Sequence, residues 1–560
     1  MKKILLIITI FAASVICSCK KSLDLAPQDQ ISSSTFWTSG NDARLALNAC
    51  YAYLNAGNNY LTGYYYTYDD GGSDNAFAQY PWESNATAIA AGNVNATIDQ
   101  GYGSRYVYIR IYNYFLDNVD KAPMDADLKK RFKAEARALR ALTYFELART
   151  FGPVPLITKS YVDPKETAVT PTPVADVISY VISELTAAAA DLPASYAGGL
   201  NYETGRITSG AAWAIMARVQ LQYGQWADAV ASAQKVMDMG YALFRVSTPS
   251  ANDMLDDFSP FVTFADNNAK LKFYKGLASY EDQFLAANEL TSKEIILSSQ
   301  NITNSSYTYG NGLRTLFPPG DLGGWSSITP TQELINAYWD SNGNTFTPPT
   351  ADQRAANYNN GAPTPAFFDE YKNRDTRLYA SVLFESSPYS SFLAGYKFTR
   401  AGGSNNTKTG YNFRKMVDPA YQSDDWDGEQ DFAIIRYAEI LLTYAEAKNE
   451  LSGPDPSIYA ALNDIRDRAG MPPVQAGLNQ DQLRQVIRNE RRIELAGEGQ
   501  RFWDIRRWGI AKDVMKTTYD VEKSVAQQRN WQDKFILMPY PQVALDHNAN
   551  LKAAQTAKGY

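Results

Sequence analysis

Carboxylates and aromatics are the side chains of this sequence best placed to do chemistry, and both gather in short stretches. Asp69, Asp70, Ser73, Asp74 and Asn75 form one oxygen-rich run, and Asp424, Asp425, Asp427 and Glu429 form another. Calcium takes oxygen ligands of this kind, so either run is a candidate cation loop, although neither has EF-hand spacing. The densest charged stretch is 491–508. There Arg491 and Glu494 lie three apart, and Asp504 lies three from both Arg501 and Arg507. Those spacings predict ion pairs on a helix face, with arginines stacked on Trp503 or Trp508, rather than a catalytic pair. Glycoside hydrolysis needs two carboxylates flanking one bond, and none of the 60 acidic residues is singled out for it. The single histidine, His547, rules out multi-histidine zinc sites and leaves little for Ser-His or Cys-His nucleophile machinery. There is no phosphate-binding P-loop and no GxSxG turn.

The aromatic loops give a better lead. Tyr80, Pro81, Trp82, Glu83, Ser84 and Asn85 follow shortly after Asp74, and Tyr307, Tyr309 and Trp325 sit among glycines in 305–325. Sugar rings present C–H faces that pack on aromatic faces, and their hydroxyls need Asn, Asp or Arg partners. Asp74, Trp82, Asn85, Tyr309 and Trp325 are therefore the expected ligand-binding residues, as a shallow platform for a glycan. The 38 tyrosines of this 560-residue chain fit such a role, since tyrosine joins an apolar face to a polar edge.

Charged residues are 20% and apolar residues 45% of the chain, which is the balance of a globular protein. With a formal net charge of −7 and no basic run, nucleic acid is not an expected partner. Lys2 and Lys3 precede a mostly apolar stretch over 4–16, too short to span a bilayer, which predicts a signal peptide over 1–18. Ile16, Cys17, Ser18 and Cys19 look like a bacterial lipobox with Cys19 as the lipidated residue. Cys50 would then have no disulfide partner, and the chain would be anchored to a membrane rather than crossing it.

The elements that position these residues read as mainly helical. Asp42 is placed to cap a helix carrying Ala43, Leu47, Tyr51 and Leu54. Residues 57–103 read as long loops. Phe132, Ala136, Leu139, Leu142 and Phe145 recur at helical steps, stopped by Gly152 and Pro153, and Val177, Val181, Leu185 and Ala188 form an apolar stripe that ends at Pro193. A helix pair is predicted over 208–223 and 225–239, with Gly240 in the place of a C-cap glycine. Residues 244–430 read as a loop-rich insertion, helical only at about 331–340. Helices resume at 435, break at Gly470 and Pro472, and restart with Asp481 as the expected cap. The pairs resemble tetratricopeptide hairpins without a strict period.

The ordered matches along the chain resemble the SusD/RagB family of surface lipoproteins from glycan-uptake systems. They begin with Cys19, Leu23-Asp24-Leu25-Ala26-Pro27 and Phe36-Trp37, and include Phe151-Gly152-Pro153-Val154-Pro155-Leu156. Arg436-Tyr437-Ala438-Glu439, Tyr444-Ala445-Glu446-Ala447 and the stretch from Glu490 to Trp508 are the most specific, and Pro539-Tyr540-Pro541 follows. The resemblance implies a mainly α fold, a tetratricopeptide-like helix-pair scaffold with large loop-rich insertions that form the ligand face. It implies one body over 19–560: a tether over 20–34, helical parts over 35–243 and 431–560, and the insertion over 244–430. It further implies a SusC-like TonB-dependent transporter as partner, an outer-membrane location facing the exterior through the lipid anchor, and binding without cleavage. The same architecture could serve a peptide or another nutrient. Apart from calcium at an acidic run, no cofactor is expected.

Overall fold

A computed structural model describes residues 36–55, 65–161, 163–196, 203–304, 307–309, 311–420 and 428–560; Cys19 lies outside them. Helix dominates. The N-terminal helices are α1 (Gly40–Asn55), α2 (Tyr66–Gly71), α3 (Ala86–Ala91), α4 (Tyr102–Asn118), α5 (Ala126–Phe151), α6 (Val174–Asp191), α7 (Ser209–Gln222) and α8 (Trp226–Met237). Asp125 caps α5 by accepting from the Leu128 N–H at 2.8 Å, and Gly152 ends that helix at φ 77°. Thr208 caps α7 at 3.1 Å. In α1 the cap is Ser39, not Asp42: the Ser39 hydroxyl accepts the Asp42 N–H at 3.2 Å and donates back to its carboxylate at 2.9 Å.

After α8 the chain leaves the helical array and returns to it about two hundred residues later. The excursion contains α9 (Asn267–Glu281), α10 (Gln332–Ala337), α11 (Ala351–Tyr358) and α12 (Thr376–Ser381). The array resumes with α13 (Tyr437–Ser452), α14 (Pro456–Arg468), α15 (Gln480–Glu494) and α16 (Gln500–Arg507). Asn479, rather than Asp481, caps α15, in a capping box with Gln482. Helix α1 lies on α4, α4 on α5, α5 on α6, α6 on α7, α7 on α8, and α8 on α13, which also carries α14 and α15. The α8–α13 seam joins the two ends of the excursion. It buries the small residues Ala229 and Ala447 with Leu221, so the helices approach closely.

Two expectations change here. Helix α9 lies where no lasting helical period was evident. Asp266 caps it at 2.7 Å, and Phe273, Tyr274, Leu277 and Tyr280 are buried along it, with Lys270 and Lys272 ahead of them and Lys275 between. The 57–103 region holds α2, α3 and strand β1 (Ala76–Ala78), and all of α2 and β1 is buried.

Strand β2 (Ile295–Ser299) pairs antiparallel with the later strand Phe432–Arg436, setting Ile295 opposite Arg436. That pairing opens onto a buried ionic network. The Arg436 guanidinium donates to Glu294 and Glu494, each at 2.8 Å, and to Glu498 at 2.7 and 2.8 Å. Arg377 reaches Glu494 at 3.0 Å, Asp375 at 2.9 Å and Glu490 at 2.6 Å. Arg468 bonds Glu494 and Glu294, Arg466 bonds Glu490 at 3.0 Å, and Lys415 bonds Glu498 at 2.6 Å. Burial alone would raise the Glu494 carboxyl, but Arg468, Arg436 and Arg377 outweigh it and hold it well below the usual carboxylate range. Removing one partner of such a network leaves the others buried and unpaired, at a cost of about 3–5 kcal/mol. Glu494→Gln is therefore expected to move the chemical-denaturation midpoint sharply downward; an unchanged midpoint would show that the network contributes nothing to stability.

Candidate functional site

The first acidic run turns inward. The Asp69 carboxylate accepts the Trp503 indole N–H at 3.0 Å, and Asp70 accepts the Gly497 N–H at 2.6 Å. Asn75 accepts from Arg492 at 2.7 Å. Asp74 is 3% exposed and takes Arg501 at 2.7 and 2.9 Å and Arg492 at 2.9 Å. Burial would raise its carboxyl, but the two guanidiniums hold it below the ordinary range. Asp74 is therefore not a ligand contact, and the run is a clamp on the C-terminal stretch with arginines where a cation would sit. In the second run, Asp424, Asp425 and Asp427 lie outside the described residues.

Within 491–508 the contacts are mostly long-range. Arg507 does pair with Asp504, at 3.0 Å, as the spacing predicts. Arg491, however, reaches Asp504 at 2.9 Å instead of Glu494, and Arg501 goes to Asp74. Gly499 is required at this junction: its φ is 77°, and a Cβ there would lie 2.1 Å from the Tyr66 carbonyl oxygen.

From the clamp the chain runs outward. Strand β1 pairs antiparallel with the strand Ile328–Pro330 in the register Ala76↔Pro330 and Ala78↔Ile328, extended by the Gln79 N–H to the Ser327 carbonyl at 2.8 Å. This register brings the residues after β1 and those before Ile328 out at one end of the ribbon, so Trp82 and Trp325 belong to neighbouring loops. Trp82 is 72% exposed and stacks on Tyr80, with ring centroids 4.8 Å apart and planes 29° apart. The Glu83 carboxylate accepts from Tyr68 at 2.9 Å and from Ser327 at 3.0 Å, which pins the loop from below. Asn85 is half-buried and donates to the Asp99 carbonyl at 2.7 Å. Trp325 is half-buried, with its backbone N–H on the Thr315 carbonyl at 2.7 Å. The backbone of Tyr309 lies in the strand Tyr307–Tyr309, paired with Ile302–Asn304, and its side chain is outside the description.

Three residues of this face escaped sequence reasoning. Asn405 exchanges hydrogen bonds with the Tyr80 hydroxyl, and the Tyr396 hydroxyl donates to the exposed Asp321 at 3.0 Å. Tyr80 lay in the expected run without a role. Asn405 sits 325 positions away in a polar turn, where no linear signal points to Tyr80.

A separate cavity of about 650 Å³ lies in the excursion, lined among others by Asp253, Asp256, Glu281, Asp282, Asp418 and Glu429. Burial, then the charges of Asp253 and Asp418, push Asp282 up to about 7. Burial outweighs Arg414 and pushes Glu281 up to about 8. Burial likewise pushes Asp69 and Asp70 up to about 7. Between pH 4 and 8 the folded protein therefore holds protons at these groups that the unfolded chain has lost. Their contribution to stability is complete below pH 4 and fades as pH rises through 7–8. Glu494 and Asp74 titrate below that window. The protein is expected to melt lower at pH 8.5 than at pH 5.5 in calorimetry, with Asp282→Asn narrowing the gap; equal melting temperatures would contradict the assignment.

Two family models match the chain: one described as "SusD family" over residues 293–560, and one described as "Starch-binding associating with outer membrane" over residues 23–221. SusD-like protein P25 of Formosa agariphila is 24% identical over 96% of this chain and 94% of its own length. Among solved structures, a SusD-like carbohydrate binding protein of Bacteroides fragilis is 26% identical, with a TM-score of 0.76 over 92% of this chain and 100% of that one. Another SusD-like protein of Bacteroides fragilis is 25% identical, with a TM-score of 0.76 over 94% of this chain and 99% of that one.

Proposed function

The chain belongs to the SusD/RagB family, and from that premise we propose that it is a glycan-capturing lipoprotein of the outer membrane that passes its ligand to a SusC-like TonB-dependent transporter. The observation that carries the glycan reading is the exposed Trp82 ring, stacked on Tyr80 at the end of a ribbon that also delivers Trp325. An indole facing water on a rigid support suits the C–H face of a pyranose, and Asp321, on the loop that carries Trp325, with its partner Tyr396 suits its hydroxyls. The carbohydrate-binding relative from Bacteroides fragilis supports the same reading. Binding without hydrolysis fits Glu83, next to Trp82 in sequence, whose carboxylate accepts from the Tyr68 and Ser327 hydroxyls and holds the loop.

The membrane association draws support from the family description over 23–221 and from the lipobox ending at Cys19. No helix among the described residues is long and apolar enough to cross a membrane. The transporter partner and the outward orientation follow from family resemblance.

Affinity gels cast with plant, fungal and host polysaccharides test the ligand class. One retarding glycan is expected, with Trp82→Ala and Trp325→Ala each weakening it roughly tenfold, equivalent to about 1.4 kcal/mol. Unchanged affinity in both variants would remove this face from the glycan reading, and retention of peptides but no polysaccharide would redirect it to another nutrient. Cys19→Ser is expected to move the protein from the membrane fraction to the soluble fraction; persistence in the membrane would exclude Cys19 as the anchor.

A further inference from the structure

We infer that Asn405 is the positioning residue of the aromatic face, fixing Tyr80, and through it Trp82, against the loop that carries Trp325. This rests on the reading of that face as the glycan site.

Asn405 makes four hydrogen bonds to two loops remote in sequence. Its backbone N–H donates to the Tyr80 hydroxyl at 3.1 Å, and the same hydroxyl donates to its side-chain Oδ1 at 2.9 Å. Its carbonyl oxygen accepts the Gly320 N–H at 2.8 Å and the Ser326 hydroxyl at 3.0 Å. The phenol thus both donates and accepts with one residue, which fixes the far end of the Tyr80 ring. The near face of that ring supports Trp82.

This geometry needs an unusual backbone. Asn405 has φ 61° and Ser326 has φ 50°, both left-handed. Asparagine is among the few side chains that enter that region at modest cost; glycine enters it freely but has no amide to reach the phenol. The loops also meet closely: a Cβ on Gly320 would lie 3.2 Å from the Asn405 Cβ, a tight contact. Two non-glycine left-handed residues, buried Ser326 and half-buried Asn405, are bonded to each other at the root of the loop that carries Trp325, and the surrounding contacts must hold that backbone cost. What the arrangement supplies is preorganisation. A ring already held in place loses less freedom when a ligand lands on it, and the difference appears as affinity.

Four variants separate positioning from general stability. Asn405→Gly keeps the left-handed backbone and loses the amide. Asn405→Asp keeps an acceptor and tolerates the same φ. Tyr80→Phe keeps the stack and loses the hydroxyl. The double variant Asn405→Gly/Tyr80→Phe closes the cycle. The ligand-free readout is 19F NMR of protein labelled with 5-fluorotryptophan, with the Trp82 resonance assigned by Trp82→Phe and buried Trp503 as the folding control. Asn405→Gly and Tyr80→Phe are expected to shift or broaden the Trp82 resonance alike, with no further change in the double variant and near-native behaviour in Asn405→Asp. Trp503 should stay in place throughout. Affinity for the polysaccharide that retards the wild type should fall roughly three- to tenfold in either single variant and no further in the double. An unmoved Trp82 resonance in both singles, or losses that multiply in the double, overturns the inference. A moved resonance with glycan affinity unchanged, or with a wild type that no polysaccharide retards, upholds the positioning and overturns the glycan reading instead.

Discussion

The excursion between α8 and α13 is fixed to the helical array by the full pairing of Glu494. Its carboxylate sits between Arg377, Arg436 and Arg468, and its carbonyl accepts from Arg436, Lys415 and Tyr280. A buried charge without partners costs several kcal/mol, so these groups must meet together or not at all. Tyr280, Glu294, Asp375, Arg377 and Lys415 come from the excursion between α8 and α13. Arg436, Arg466, Arg468, Glu490, Glu494 and Glu498 come from the returning chain. Each set carries equal positive and negative charge, but the pairs cross between them: Arg377 reaches Glu490 and Glu494, Lys415 reaches Glu498, and Arg436 and Arg468 reach Glu294. The loop-rich part is therefore held against the helices in one register, and its loops gain a rigid base without long secondary structure of their own.

A second junction carries that rigidity to the surface. Asp74 is gripped by Arg501 and Arg492, and its carbonyl accepts the Thr331 hydroxyl at 2.6 Å. From there β1 and its partner strand form a short ribbon with one end in the core and the other bearing Tyr80, Trp82 and Trp325. Seven residues separate a fully committed buried carboxylate from a tryptophan that is 72% exposed. The carboxylate serves the site without touching its ligand, because it fixes the place where the ribbon starts.

Features written in local periodicity were legible in the sequence. The stripe of Val177, Val181, Leu185 and Ala188, the stop at Gly152 and the small residues of the α7–α8 pair need only neighbours three or four positions away. The exposed aromatic loop was legible for a similar reason, since Tyr80, Trp82 and Asn85 lie in one run. Features made by distant pairs were not legible. Asp74 looked like a loop carboxylate because its partners Arg492 and Arg501 lie more than four hundred positions away. The same spacing argument that found Arg507–Asp504 misassigned Arg491, whose choice between Glu494 and Asp504 is set by what else Glu494 must neutralise. Helix α9 was hidden because Lys270, Lys272 and Lys275 fall among its apolar residues Leu271, Phe273, Tyr274 and Leu277, and the chain on either side is irregular.

The contrast between the acidic clamp and the aromatic face separates scaffold from site. At the clamp, the carboxylates have protein donors for partners, and their chemistry is spent inside the fold. At the face, Glu83 and Asn405 accept hydrogen bonds and Asn85 donates one to hold loops in place, yet the Trp82 ring is left in water. Exposing a large aromatic forgoes roughly 2–3 kcal/mol of burial that the same side chain would contribute in the core. A single exposed aliphatic such as Leu290 needs no explanation, because it sits on no comparable support. An exposed indole stacked on a tyrosine whose hydroxyl is doubly bonded, on a loop pinned from below, is a surface organised for contact with something outside the chain.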